Sequence, residues 1–141
     1  MTLRYLLDTG VVAEPVTRDP DADVLKRLRK RGGECAIAAP VWQELLLAVE
    51  SLPAGTERRA IVERYLQEVV RPSFPVLPYD DAAAAWDARE RARRAKAGGR
   101  VGVADGQIAA IAVTAGLALV TTSPKEFAGY PGLRVESWKG R

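Results

Sequence analysis

Asp8, Glu44 and Asp105 are the residues whose type and placement could do chemistry together. Asp8 stops the apolar run that includes Tyr5, Leu6 and Leu7, Glu44 follows a second apolar run and Pro40, and Asp105 opens an apolar, helix-spaced segment. A fourth position follows the run Leu117 to Thr122, where Ser123 is succeeded within the same turn by Glu126. In open α/β sheets the carboxyl ends of the strands line the ligand crevice. If these ends share one edge, two to four acidic side chains converge, and like charges so gathered repel one another unless a divalent cation neutralises them.

The composition narrows the cation. Histidine is absent and Cys35 is the sole cysteine, which excludes histidine general bases, triads built on histidine and nearly all zinc chemistry. Oxygen donors alone point to Mg²⁺ or Mn²⁺. A hard ion held by carboxylates suits phosphodiester hydrolysis, because it lowers the pKa of a bound water and stabilises charge on phosphoryl oxygens. Each acid also has a plainer reading: Asp8 as a turn-former, Glu44 as a solvated helix residue, Asp105 as a charge favourable near a helix N-terminus. Their joint placement says more than any one of them.

The elements that must position these acids follow from the hydrophobic pattern. The runs at Leu3 to Thr9, Cys35 to Ala39 and Leu117 to Thr122 read as strands, with brief ones expected near Val76-Leu77 and Leu133 to Val135. Helical spacing predicts helices over Asp21 to Arg31, from Pro40 onward with Val41, Leu45 and Ala48 on one stripe, and over Glu57 to Val70 through Ile61, Val62, Tyr65, Leu66 and Val69. Two more are predicted over Ala82 to Lys96 with Asp80 as N-cap, and from Val103 to a stop at Gly116 with Ile108, Ile111, Ala112 and Ala115 facing the core. Alternating strands and helices predict one α/β domain over residues 1–141, a three-layer α/β/α sandwich with a central parallel sheet of four to five strands.

The charge balance is mildly basic, +3 from 21 lysines and arginines against 18 acids, which permits a nucleic-acid partner without demanding one. Two basic clusters stand out: Lys26, Arg27, Arg29, Lys30 and Arg31, and Arg89, Arg91, Arg93, Arg94 and Lys96. The first reads as a solvated helix end or a phosphate-contacting surface; the second falls on several helix faces. No signal peptide or membrane-spanning run is recognisable, and a single cysteine suits a reducing compartment, so a cytoplasmic protein is expected.

Taken in order, Tyr5-Leu6-Leu7-Asp8-Thr9, Glu44, Ala104-Asp105-Gly106-Gln107-Ile108-Ala109-Ala110, Leu119 to Phe127 and Pro131 to Trp138 resemble the PIN-domain ribonucleases, specifically VapC-type toxins of bacterial toxin–antitoxin pairs. The resemblance covers essentially the whole chain. It implies a four- or five-stranded parallel sheet, a Mg²⁺- or Mn²⁺-dependent endoribonuclease site acting on RNA, a homodimer, and inhibition by a small VapB-like antitoxin. Carried over by position, Asp8, Glu44 and Asp105 match the acidic metal-site residues, and Thr9 the hydroxyl residue beside the first of them. Gly10 stands where the family commonly has Asn or Ser, and Ser123 where it has Asn or Asp; Glu126 has the reach to compensate at that corner. Arg100 is the first candidate to steer the RNA backbone.

Two other readings use the same residues. A non-catalytic PIN-like domain would act as a protein- or RNA-binding partner. A phosphatase with Asp8 as covalent nucleophile is the weaker, because a second aspartate is wanted where Gly10 stands. Trp42, Leu46 and the apolar residues of Glu57 to Val70 exceed the needs of one small core and predict a dimer interface.

Overall fold

Strands covered on both faces are continuous apolar runs rather than alternating ones, and the central three of this protein are buried at every position: β1 (Tyr5–Leu7), β2 (Cys35–Ala38) and β4 (Ala118–Val120). The computed structural model describes residues 2–100 and 102–140. β3 (Val76–Leu77) and β5 (Val135–Glu136) are short edge strands. The order is β3-β2-β1-β4-β5 and every pairing is parallel. Leu6 lies between Ala36 and Leu119, so β1 is the middle of the sheet. The strand order reverses at β1, where such sheets open their ligand crevice.

Among the described residues seven α-helices cover the sheet to give a three-layer α/β/α sandwich: α1 (Thr9–Val12), α2 (Ala22–Arg31), α3 (Ala39–Glu50), α4 (Glu57–Tyr65), α5 (Arg71–Ser73), α6 (Asp81–Lys96) and α7 (Val103–Ala115). Their starts follow local chemistry. Asp8, Asp21, Thr56 and Asp80 each accept a backbone N–H at an N-terminus, and Pro40 occupies the first turn of α3. Gly116 closes α7 with a left-handed φ of 72° that a β-carbon would oppose.

Several expectations need correction. The last strand is Val135–Glu136 rather than Leu133 to Val135, because the turn at Gly132, with φ +77°, delays the chain's entry into the sheet. Ala48 and Ala115 face solvent, and Val49 takes the buried place on α3. The Glu57 to Val70 helix is not uniform: α4 passes into a π-helical stretch, Leu66–Val70, whose wider turn buries Leu66 and Val70 while Ile61 and Val69 stay exposed. Val69 lines an apolar groove of about 660 Å³ with Leu25, Leu28, Tyr65 and Phe74.

The α6 arginines do not form a free basic face. Arg93 and Arg94 hold buried Glu90, Arg94 also lies 3.8 Å over the Tyr130 ring, and Arg91 pairs with buried Asp87 at 3.2 Å. At the other edge Trp138 packs edge-on against Tyr5, ring centres 5.2 Å apart. No helix among the described residues is long and apolar enough to cross a membrane.

Candidate active site

Asp8 ends β1 and caps α1 in one move. Its backbone N–H donates to the Val120 carbonyl of β4 at 2.9 Å, which fixes the residue in the sheet. Its carboxylate accepts the Thr9 N–H at 2.8 Å on Oδ1 and the Thr121 hydroxyl at 2.8 Å on Oδ2. Held from the start of α1 and from the residue after β4, the carboxylate has little rotational freedom left.

Glu44 arrives on α3, which starts directly after β2 and places its second turn over the same edge. The Thr9 hydroxyl donates to Glu44 Oε2 at 2.7 Å, so one threonine links both acids: N–H to Asp8, O–H to Glu44. Asp105 lies in the first turn of α7. Burial, then the charges of Glu126, Asp8 and Glu44 in that order, push its carboxyl above the usual carboxylate value. Four acids drawn from four parts of the chain therefore act on a common space.

Asp105 is held from below. Arg91 on α6 pairs with Asp87, which also accepts the Tyr79 hydroxyl at 2.9 Å, and the same guanidinium donates to the Val103 carbonyl at the start of α7 at 3.0 Å. A β-carbon on Gly106 would stand 2.8 Å from both Arg91 Nη2 and Asp87 Oδ1. The glycine beside Asp105 is what lets α7 seat against this pair.

Of the residues singled out in the sequence, Asp8, Glu44, Asp105 and Glu126 are brought under one another's influence. Ser123 sits at the mouth of β4, its N–H donating to Thr121 Oγ1 at 3.0 Å. Arg100 is exposed in the α6–α7 connection, and its neighbour Val101 lies outside the described residues. Thr121 was missed: inside the run Leu117 to Thr122 it reads as strand, yet it is buried and bridges Asp8 to the Ser123 backbone. Thr122 was missed too; its side chain fills the space beside Gly10.

In chemical type the donor set suits a hard divalent ion. It consists of carboxylate and hydroxyl oxygens, and among the described residues no ion pair engages Asp8, Glu44, Asp105 or Glu126. As the side chains lie, no group of three or more acid, cysteine or histidine residues among the described residues is placed to hold a metal ion. The acids share a field, with the longer Glu44 and Glu126 left to adjust.

The model of the PIN domain matches residues 5–133. The chain belongs to the PIN-domain family. Relatives of this PIN-domain protein include the tRNA(fMet)-specific endonuclease VapC of Shigella flexneri, 32% identical over 96% of this chain and 98% of that one. The VapC ribonuclease Y4jK of Sinorhizobium fredii is 36% identical over 88% and 91%. Among solved structures, FitAcB from Neisseria gonorrhoeae superposes with a TM-score of 0.83 at 29% identity, covering 93% of this chain and 95% of that one. DNA-bound VapBC from Salmonella typhimurium superposes at 0.82 with 30% identity, covering 97% and 99%. The protein is a PIN-domain member of the VapC type.

Proposed function

We propose that this VapC-type protein is a metal-dependent endoribonuclease, the toxin half of a toxin–antitoxin pair, hydrolysing RNA with Mg²⁺ or Mn²⁺ at the acidic edge. The observation that carries the reading is Asp105, raised by burial and by three other acids none of which has a cationic partner among the described residues. The names of the relatives support RNA as the substrate, and the solved VapBC and FitAcB assemblies support a small VapB-like antitoxin as the partner.

Asp8 and Asp105 would hold the ion, Asp8 with its orientation fixed by Thr9 and Thr121. Bound there, the ion supplies Lewis acidity to the phosphoryl oxygens and lowers the pKa of the attacking water. Glu44 spends Oε2 on Thr9, leaving Oε1 to orient that water and take its proton. Ser123 or Glu126 positions the outer water, and Arg100 steers the RNA backbone toward the edge.

The test is RNA cleavage with Mg²⁺ or Mn²⁺ by wild type, Asp8→Asn and Asp105→Asn. Cleavage abolished by a chelator and in both variants is the expected result; cleavage undiminished in both, or indifferent to the chelator, overturns it. That no three acids among the described residues are placed to hold a metal favours one other reading, a binding partner without activity. Calorimetry that detects no Mn²⁺ binding near neutral pH would select it. A homodimer is proposed on exposed Leu46, Leu47 and Ile61, 37%, 63% and 44% accessible; a monomeric mass in light scattering would remove it.

A further inference from the structure

The basic cluster on α2 is exposed at Lys26, Arg27, Arg29 and Lys30 and is not taken up by the acidic edge, and part of it lines a cleft. A cleft of about 300 Å³ lies between α2 and the segment after β5, lined by Lys26, Arg27, Lys30, Ser137, Lys139 and one acid, Asp23. Among the described residues none of its lysines or Arg27 belongs to an ion pair. The Arg27 guanidinium lies 5.9 Å over the Trp138 ring, which is itself buried against Tyr5 and forms a rigid wall. Asp21, at the head of α2, accepts the Gly140 N–H and ties the terminal segment to the helix. Four cations thus face two carboxylates, Asp23 in the lining and Asp21 at the head of α2, which Lys139 also acts on, across a cleft whose two walls are fastened together.

Its place relative to the acids follows from the sheet. Asp8 N–H donates to Val120 O, and Thr121 N–H donates to Glu136 O. Asp8, Thr121 and Ser137 therefore occupy one row across three adjacent strands. Two strand spacings separate Asp8 from the Ser137 mouth of the cleft, about 10 Å. That is a span of a few nucleotides at one phosphate per roughly 3.4 Å along a strand.

We propose that the α2–C-terminal cleft is a backbone-binding exosite, holding phosphates of the RNA strand a few nucleotides from the bond cut at Asp8. The proposal rests on the nuclease reading and extends it to how the substrate is held. Lys26 and Lys30, one helical turn apart, contact successive phosphates, and Lys139 closes on them from the opposite wall. An acidic protein segment is the competing occupant.

The experiment compares Lys26→Ala/Lys30→Ala with a control losing equal charge elsewhere, Arg64→Ala/Arg89→Ala. Binding of fluorescently labelled RNA is measured by anisotropy across a salt series, and cleavage on a long RNA and on an RNA too short to leave the acidic edge. For the cleft variant, long-RNA binding should weaken roughly tenfold at low salt and the slope of log K against log salt should fall by about 1.4. KM for long RNA should rise with kcat unchanged, and the short RNA should be cut as by wild type. Equal losses in the control variant, equal losses on the short RNA, or no loss would overturn the exosite. So would intact RNA affinity with weakened binding of an acidic antitoxin segment. Because binding is read apart from cleavage, RNA bound through the cleft but left uncut would defeat the nuclease reading alone.

Discussion

Thr122 Oγ1 lies 2.7 Å from the point where a β-carbon on Gly10 would stand. The glycine in the first turn after Asp8 is therefore matched by a hydroxyl arriving from the end of β4. Helix propensity alone would favour alanine over glycine in α1 by about 1 kcal/mol, whereas forcing an atom into filled space costs about 1–3 kcal/mol. The clash wins. Gly10→Ala should lower the melting temperature in the native background and raise it in a Thr122→Ala background. Thermal melts of the two singles and the double test this sign reversal, and additive effects would refute the coupling.

Asp105 is the acid whose ionisation the fold most opposes, through burial and then through Glu126, Asp8 and Glu44. Its folded carboxyl titrates above the unfolded value of about 3.9, so the folded state binds the extra proton between the two values. Stability of the metal-free protein then falls as pH rises through that window, and above it the cost stays constant. Asp105→Asn should melt at higher temperature than wild type at neutral pH without divalent ions, while RNA cleavage drops by about 10²-fold or more. A variant that is both inactive and less stable would contradict this account.

Thr121 gives its hydroxyl to Asp8 and accepts from the Ser123 backbone while buried. Thr121→Val keeps the shape and removes both bonds, leaving a part-buried carboxylate oxygen and N–H short of a partner at a cost of about 1 kcal/mol. Thr121→Ser should restore most of the loss. Mn²⁺ titration by calorimetry should follow the same order, weakened in the valine variant and recovered in the serine one. Unequal ranking of stability and metal affinity would separate packing from orientation of Asp8.

Glu90 shows the opposite pH behaviour. Hydrogen bonding from Arg93, with a further contribution from Arg94, holds its carboxyl below the usual value. A carboxylate depressed by folding stabilises above its unfolded value of about 4.3, and that contribution is lost as pH falls through the lower folded value. Glu90→Gln should lower the melting temperature at neutral pH and flatten its decline across that acid window. Parallel melting curves for wild type and variant would show that the arginines do not depend on the charge.

How much of this was legible in the sequence depended on the range of the interaction. Leu6, Ile37 and Leu119 could be placed because strands buried on both faces leave unbroken apolar runs, and Glu44 because Pro40 marks the start of its helix. Asp8, Glu44 and Asp105 each carried a local signature of a strand end or a helix start. Thr121 carried none, since its partner is the carboxylate at the other end of the chain, and a β-branched residue after valine reads only as strand. The pairing of Gly10 with Thr122 is likewise visible only once β1 and β4 are neighbours. Val69 went astray because a regular 3.6-residue period does not anticipate the π-helical stretch it stands in.

The Asp87–Arg91 pair under Gly106, with its reach to the Val103 carbonyl, fastens α7 to α6 below the site. The connection between the two helices is thereby relieved of any duty to align the Asp105 carboxylate. Changes of length or sequence in that connection would recontour the entrance over an acid whose seat stays put.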